Sequence, residues 1–171
     1  MAMSLMHLTF GKSSFKFTNI KCKDHDIDFA HFDRCKLLVI GRGVVSLDIK
    51  VDLYKTPVSN VSLNIALYKR ASGYRPFLYN ITQDLCAFFR NRKRYPIAKV
   101  LLEIFLSNTN VDSKCPITEA FEIKNFLLNE ESFRLLPIPE GDYLFKMHVF
   151  AYNDLKATVE VYFNRKDGLL F

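Results

Sequence analysis

The sequence lacks the features that usually identify an enzyme or a membrane-spanning protein. Tryptophan is absent from its 171 residues, and no apolar run approaches the ~18 residues that a membrane-spanning helix needs. The hydrolase motifs Gly-x-Ser-x-Gly and His-Glu-x-x-His are missing, and no pair of carboxylates stands in a plausible cleft context. The sequence therefore predicts a protein that is not an enzyme and uses no cofactor. The four histidines lie far apart, without a motif around any of them: His7, His25, His31 and His148.

The chain also lacks a Cys-x-x-Cys pair, and no histidine stands at ligand spacing from a cysteine, so we expect no metal site. The four cysteines, Cys22, Cys35, Cys86 and Cys115, are even in number and widely spaced, which fits two disulfides in an oxidising compartment. Three pairings are open. Cys22 and Cys35 lie about equally far from a predicted hairpin tip near Asp28, which favours a cross-strand bridge between them. A Cys86–Cys115 bridge would then pin the base of the segment between those two residues.

Two glycosylation sequons, Asn60-Val-Ser62 and Asn80-Ile-Thr82, point to the same compartment. The alternation around Asn60 places it on the wet face of its predicted strand. Residues 1–15, however, have only a broken apolar patch, without the basic start or the small-residue cleavage site of a secretory signal. Either the chain lacks its true N-terminus or the protein stays inside the cell. The cysteines and sequons together favour the first interpretation, and hence secretion.

Strict alternation of apolar and polar residues is the clearest pattern present. Residues 45–53 and 61–67 each predict a strand with one buried and one wet face. Lys55-Thr-Pro57 separates them, and we predict that the two strands form an antiparallel pair on which a second layer packs. Gly41-Arg-Gly43 predicts a bulge or tight bend before the first strand.

Seven or eight strands separated by short turns predict an all-β fold, an immunoglobulin-like antiparallel β sandwich. We expect a single domain over residues 15–167, behind a poorly structured N-terminus at residues 1–14. The further predicted strands are residues 15–22, 32–40, 74–81, 121–125, 143–151 and 155–163.

A short helical insertion is predicted around residues 83–107, where the alternating pattern stops. Thr82 is the candidate cap of its first helix, and Pro96 opens a second helix that runs to about Ser107. An amphipathic helix of this kind either buries its apolar stripe in the core or lines a lipid cavity. The residues that we predict to form a ligand-binding wall are Phe77, Tyr79, Phe88, Phe89, Val100, Leu101, Ile104 and Phe105.

The net charge of +6 permits anionic partners. The densest cluster of positive charge is Arg90-Asn-Arg92-Lys-Arg94. It fits a solvated connector between two helices, a site for an anionic headgroup or, least well, a nucleic-acid contact. We assign Arg90, Arg92 and Arg94 to a candidate headgroup site and expect no nucleic-acid partner. Isolated lysines on the polar faces of strands indicate a solvated surface: Lys50, Lys124, Lys146 and Lys156.

An ordered set of segments resembles a large insect family of small secreted proteins of unknown function, over about residues 15–167. The segments are residues 17–22, 44–49, 73–80, 91–96, 115–116, 136–143 and 151–154. That family is similar to a divergent branch of the ML lipid-recognition superfamily and to insect chemosensory-B proteins. The resemblance implies a sandwich whose sheets part to hold a lipid, without catalysis. The ML disulfide of the last strand does not carry over, because no cysteine follows Cys115.

Together these observations predict a secreted lipid- or hydrophobic-ligand-binding protein with a chemosensory, carrier or cofactor role. A membrane receptor is a further candidate partner, without stable insertion of this chain into the membrane. The alternative is an extracellular protein-interaction module with a closed core and no ligand.

Overall fold

A computed structural model describes residues 10–110 and 113–169, which form an antiparallel β sandwich of two sheets. Two helices, α1 (Leu85–Arg90) and α2 (Pro96–Leu106), stand between the fifth and sixth strands. Within the described residues, no helix is long and apolar enough to cross a membrane. The predicted all-β sandwich with a helical insertion is confirmed. The strands are β1 (Phe10–Asp24), β2 (Ala30–Gly41), β3 (Val44–Leu53), β4 (Val61–Ala71), β5 (Gly73–Asp84), β6 (Phe121–Phe126), β7 (Gly141–Ala151) and β8 (Asp154–Leu169).

The two alternating strands that we expected to pair lie in opposite sheets. β4 belongs to the five-stranded sheet, in the order β1-β8-β7-β4-β5, whereas β3 is the centre of the three-stranded sheet, in the order β2-β3-β6. The predicted antiparallel pair is therefore wrong. Alternation reports which side of a strand is buried but carries no information about its hydrogen-bonded neighbour. The expected wet face of β3 is also covered, because Ser46 and Asp48 are buried and Arg34 Nε bonds Asp48 Oδ1 at 3.1 Å.

β2 and β3 form a hairpin at the predicted tight bend. Arg42 and Gly43 make the two-residue turn, and Gly43 has a φ of +69°, which a residue with a side chain adopts at a cost. β1, by contrast, pairs with β8 and not with β2. The expected hairpin with its tip near Asp28 is thus wrong, because the chain changes sheets at that point.

Both predicted disulfides are present, Cys22–Cys35 and Cys86–Cys115. The first joins β1 to β2, which are edge strands of opposite sheets. The second joins α1, which follows the edge strand β5, to the segment that leads into the edge strand β6. Each bridge therefore closes one of the two margins of the sandwich.

The helical insertion begins and ends close to its predicted bounds, but its cap differs. Asp84 Oδ1 accepts a hydrogen bond of 2.9 Å from the backbone N–H of Ala87, so Asp84 caps α1, while Thr82 lies inside β5. α2 begins at Pro96, as predicted. Its buried face comprises Ala98, Leu101, Leu102 and Ile104.

β1 and β8 are the two longest strands and extend past their predicted bounds. They pair along nearly their whole length, from the Phe10–Leu169 register to the Asp24–Ala157 register. Residues 10–14 of the expected poorly structured segment are therefore strand, and residues 1–9 lie outside the described residues.

Candidate functional site

An apolar cavity of about 180 Å³ lies between the two sheets. The three-stranded sheet contributes wall residues such as Ile49 and Ile123, and the five-stranded sheet contributes Leu63, Val149 and Val159. These are inward-facing positions of central and edge strands alike. The cavity wall is therefore made by inward-facing apolar side chains of the kind that, in the rest of the sandwich, pack against each other and leave no space.

The helical insertion closes part of this cavity, and two of the eight predicted wall residues contribute to it. Phe89 of α1 and Phe105 of α2 line the cavity. Leu102 and Leu106 of α2, which are not among the predicted wall residues, line it as well. A stripe at 102, 105 and 106 follows the i, i+3, i+4 spacing of one helix face. Sequence could not choose this face because α2 is apolar over most of its circumference.

The remaining six predicted residues lie outside the cavity wall. Phe88 and Leu101 are fully buried in the adjoining core, and Ile104 reaches the aromatic part of that core. Phe77 packs its ring 5.9 Å from that of Tyr143. Val100 faces a surface groove and Tyr79 is a partly buried residue of β5.

Among the residues that the structure describes, Lys156 is the one charged residue in this wall. Its side chain is only 12% exposed, although the sequence pattern predicted a solvated position. The reason is a β-bulge: Val149 pairs with Ala157 and Phe150 with Leu155, so Lys156 has no partner in β7. A bulge re-aims the side chain of its extra residue, and nothing in the local sequence marks it.

The Lys156 ammonium is held by a carboxylate and an aromatic ring. Its Nζ donates a 2.7 Å hydrogen bond to Asp26 Oδ2 and lies 4.7 Å from the centroid of the Phe29 ring, which also lines the cavity. The hydrogen bond from Lys156 lowers the pKa of the Asp26 carboxyl below its ordinary value. The loop between β1 and β2 is thereby tied to the bulge of β8, since the His25 N–H also bonds the Lys156 carbonyl at 2.9 Å.

The three arginines of the predicted headgroup site occupy different environments. The Arg92 guanidinium lies 5.4 Å from the Phe88 ring and 5.9 Å from the ring of Phe89, and it forms a 3.6 Å ion pair with Glu103. Because Phe89 lines the cavity, Arg92 covers the outside of the wall. Arg90 and Arg94 are exposed at the surface of the insertion. The structure therefore brings one arginine, and not three, next to the cavity.

Two histidines meet outside the cavity, on the five-stranded sheet. His25 Nε2 and His148 Nδ1 lie 2.8 and 3.0 Å from the same hydroxyl, Oγ1 of the buried Thr158. Burial lowers the pKa of His148, and the nearby positive charges of Lys146 and His25 act in the same direction. The described part of the chain holds no group of three or more His, Cys, Asp or Glu residues arranged to bind a metal ion.

Both sequon asparagines are exposed. Asn60 lies one residue before β4, and not within the strand as its alternation suggested. Asn80 lies on β5, where its Oδ1 accepts a 2.9 Å hydrogen bond from Asn64 Nδ2. Each side chain is therefore positioned at the surface.

Residues 63–145 match the family model described as a protein of unknown function (DUF1091). The matched segment runs from β4 through both helices into β7, and it contains the Cys86–Cys115 bridge together with part of the cavity wall. This fits the expected resemblance to a family of unknown function, while the match does not extend to the ML superfamily or to chemosensory-B proteins. A comparison with curated proteins found no match.

Proposed function

We propose that the protein binds a small hydrophobic ligand between its two sheets and does so without catalysis. The observation that carries this proposal is the apolar cavity of about 180 Å³. An engineered apolar cavity of ~150 Å³ stays dry and binds benzene, whereas pockets for drug-sized ligands measure ~300–1,000 Å³. The volume therefore suits one aliphatic chain or one small ring, and not a lipid with two full acyl chains.

Such a ligand would gain its affinity from leaving water. Burial of each methylene contributes ~0.8 kcal/mol, so a chain that buries about six of them gains ~5 kcal/mol before the costs of association. Pure hydrophobic burial of this size supports only weak binding, with a Kd of about 0.2 mM at best. Tight binding would need a further polar contact.

The proposed role is that of a secreted carrier or cofactor, with a chemosensory use as the resemblance implies. Two disulfides and two exposed sequons support an oxidising, extracellular location. A relationship to the ML superfamily is part of the same proposal, and its support is the two-layer architecture with space between the layers.

Native mass spectrometry of protein from a eukaryotic secretory host tests this function. We expect small hydrophobic molecules to be released from the wild-type protein on activation, and 1-octanol to bind after their removal. The matched control is Val159→Phe, which fills the cavity from β8 and should abolish both signals. Identical spectra and no octanol binding in either protein would overturn the proposal.

The alternative function, an interaction module without a ligand, is favoured by one surface feature. The end of β2 exposes two consecutive apolar residues, Val39 and Ile40, which are 79% and 55% exposed. Large apolar side chains exposed near one another are a feature of contact sites. Under this alternative, octanol would not bind, and Val39→Ser with Ile40→Ser would abolish binding of the protein to its protein partner. Under the ligand-binding proposal, the same double variant binds octanol as the wild-type protein does.

A further inference from the structure

We infer that the ligand is an amphiphile with a carboxylate head, which pairs with Lys156 while the apolar tail occupies the cavity. This inference rests on the proposed function, since it names the chemical class of that ligand. A medium-chain alkanoate is the simplest molecule that meets both requirements.

The first support is the position of the charge. Among the described residues, Lys156 is the one charged residue that lines the cavity, and it does so with its aliphatic stem, because the lining exposes no polar surface. Its neighbour in the wall, Phe29, lies beneath the ammonium at 4.7 Å, and its partner, Asp26, has a side chain 33% exposed to solvent. The stem of Lys156 therefore lies along the cavity wall while its ammonium lies outside the lining, beside the partly exposed Asp26 carboxylate. The head of a ligand would lie there once its tail had entered the cavity.

The second support is the spare bonding capacity of the ammonium. A lysine ammonium has three N–H donors, and one of them is used in the bond to Asp26 Oδ2. A ligand carboxylate could share the ammonium with Asp26 or take its place, because the Asp26 side chain is partly solvated. Exchange of one carboxylate for another leaves no buried charge without a partner, which is the costly outcome in a low-dielectric site.

The positive charges of Lys156 and Lys55 favour an anionic head over a cationic one. Lys55 also lowers the pKa of Asp26 through its positive charge, so two positive charges act on this region. Asp24, the last residue of β1, is already bonded to His31 Nδ1 at 2.7 Å and to the N–H of Phe32 at 3.1 Å. A neutral head group would leave the Lys156–Asp26 pair unchanged and gain nothing from it.

Calorimetric titration with octanoate and 1-octanol at pH 7.5 tests the inference. We expect the wild-type protein to bind octanoate at least ~10-fold more tightly than octanol, because a hydrogen bond to a charged group is among the stronger ones. Lys156→Met should weaken octanoate binding ~10-fold and leave octanol binding unchanged. Asp26→Asn should strengthen octanoate binding, because it removes the competing carboxylate.

The matched control is Lys146→Met, which removes a lysine of the same sheet whose Nζ pairs with Glu160 at 3.4 Å; both ligands should bind as in the wild-type protein. If Lys156 only braces the β1–β2 loop, Lys156→Met and Asp26→Asn will weaken both ligands equally, and the inference is wrong. Equal affinity of the wild-type protein for octanoate and octanol overturns the inference but leaves the proposed function standing. If the wild-type protein binds neither octanoate nor octanol, both the inference and the proposed function are wrong. If Lys156→Met does not fold, Asp26→Asn alone decides the question. The inference predicts that Asp26→Asn binds octanoate more tightly than the wild-type protein, whereas a purely structural role of the Lys156–Asp26 pair predicts weaker binding.

Discussion

The two halves of the sandwich interior are filled differently, although the same strands run through both. Aromatic rings fill one half, which we call the packed half. Phe133 stacks on Phe15 at 4.6 Å between centroids, and Phe163 lies 5.4 Å from both Phe133 and Tyr143. The space left there is about 10 Å³. The other half, the cavity half, has mainly aliphatic walls around about 180 Å³.

The disulfides are both in the cavity half. Cys22 is paired across the sheet with Val159 and Cys35 with Ile49, and both partners line the cavity. Cys86 directly follows the wall residue Leu85. Atoms next to empty space lose dispersion contacts that a filled core would supply. The comparison indicates that covalent bridges stabilise the half in which packing is incomplete, while ring packing stabilises the other half.

Removal of the disulfides should have the largest effect. Chain entropy assigns about 3.6 kcal/mol to a closed loop of 29 residues and about 2.9 kcal/mol to one of 13. We therefore expect Cys86→Ala with Cys115→Ala to lower the free energy of unfolding more than Cys22→Ala with Cys35→Ala. Urea unfolding measures both values. Hydrogen exchange should quicken first in the cavity half. Losses below ~1 kcal/mol, or faster exchange first in the packed half, would contradict this explanation of the two bridges.

Most strands, the helical insertion and both disulfides could be predicted from the sequence, because each depends on short-range pattern or on the number and spacing of cysteines. The partner of each strand could not. Residues 45–53 and 61–67 have the same alternation whether they pair side by side or face each other across the core. Distinguishing these arrangements requires the course of the chain between them, and Pro57 breaks a strand in either case.

Less of the candidate site than of the fold could be predicted from the sequence. Of the residues predicted to form a ligand-binding wall, Phe89 and Phe105 line the cavity, but most of the lining comes from strand positions that have the same pattern as an ordinary core. A cavity depends on the volume left between side chains, which periodicity does not report. Lys156 was assigned to a solvated face because its bulge shifts the register of β8 against β7 by one residue. No residue type in that segment reveals the shift.

A larger side chain should destabilise the packed half more than the cavity half, and we expect this effect to be smaller than that of removing the disulfides. Leu67→Phe adds volume where about 10 Å³ is free, so we expect it to destabilise the protein by ~1–3 kcal/mol. Val159→Phe adds volume where about 180 Å³ is free and should cost less than ~1 kcal/mol, while it abolishes octanol binding. Urea midpoints and titration measure both properties. Equal destabilisation by the two substitutions would mean that the cavity is not available space in solution.

Titratable side chains on the outer faces of the two halves should make stability depend on pH in different ranges. We expect this to be the smallest of the three effects. Outside the cavity half, burial lowers the pKa of His148 below 6.5, so the unfolded chain binds more protons than the folded one as the pH falls through that value. Stability should therefore fall between about pH 7.5 and 5.5, and His148→Gln should reduce the fall.

Outside the packed half, burial and Glu160 raise the pKa of Tyr162 to about 12, so its contribution is lost only as the pH rises above ~10. Tyr162→Phe is the matched control and should leave the acid side unchanged. If His148→Gln and the wild-type protein have the same urea midpoints at both acidic and neutral pH, burial of His148 does not make the stability depend on pH.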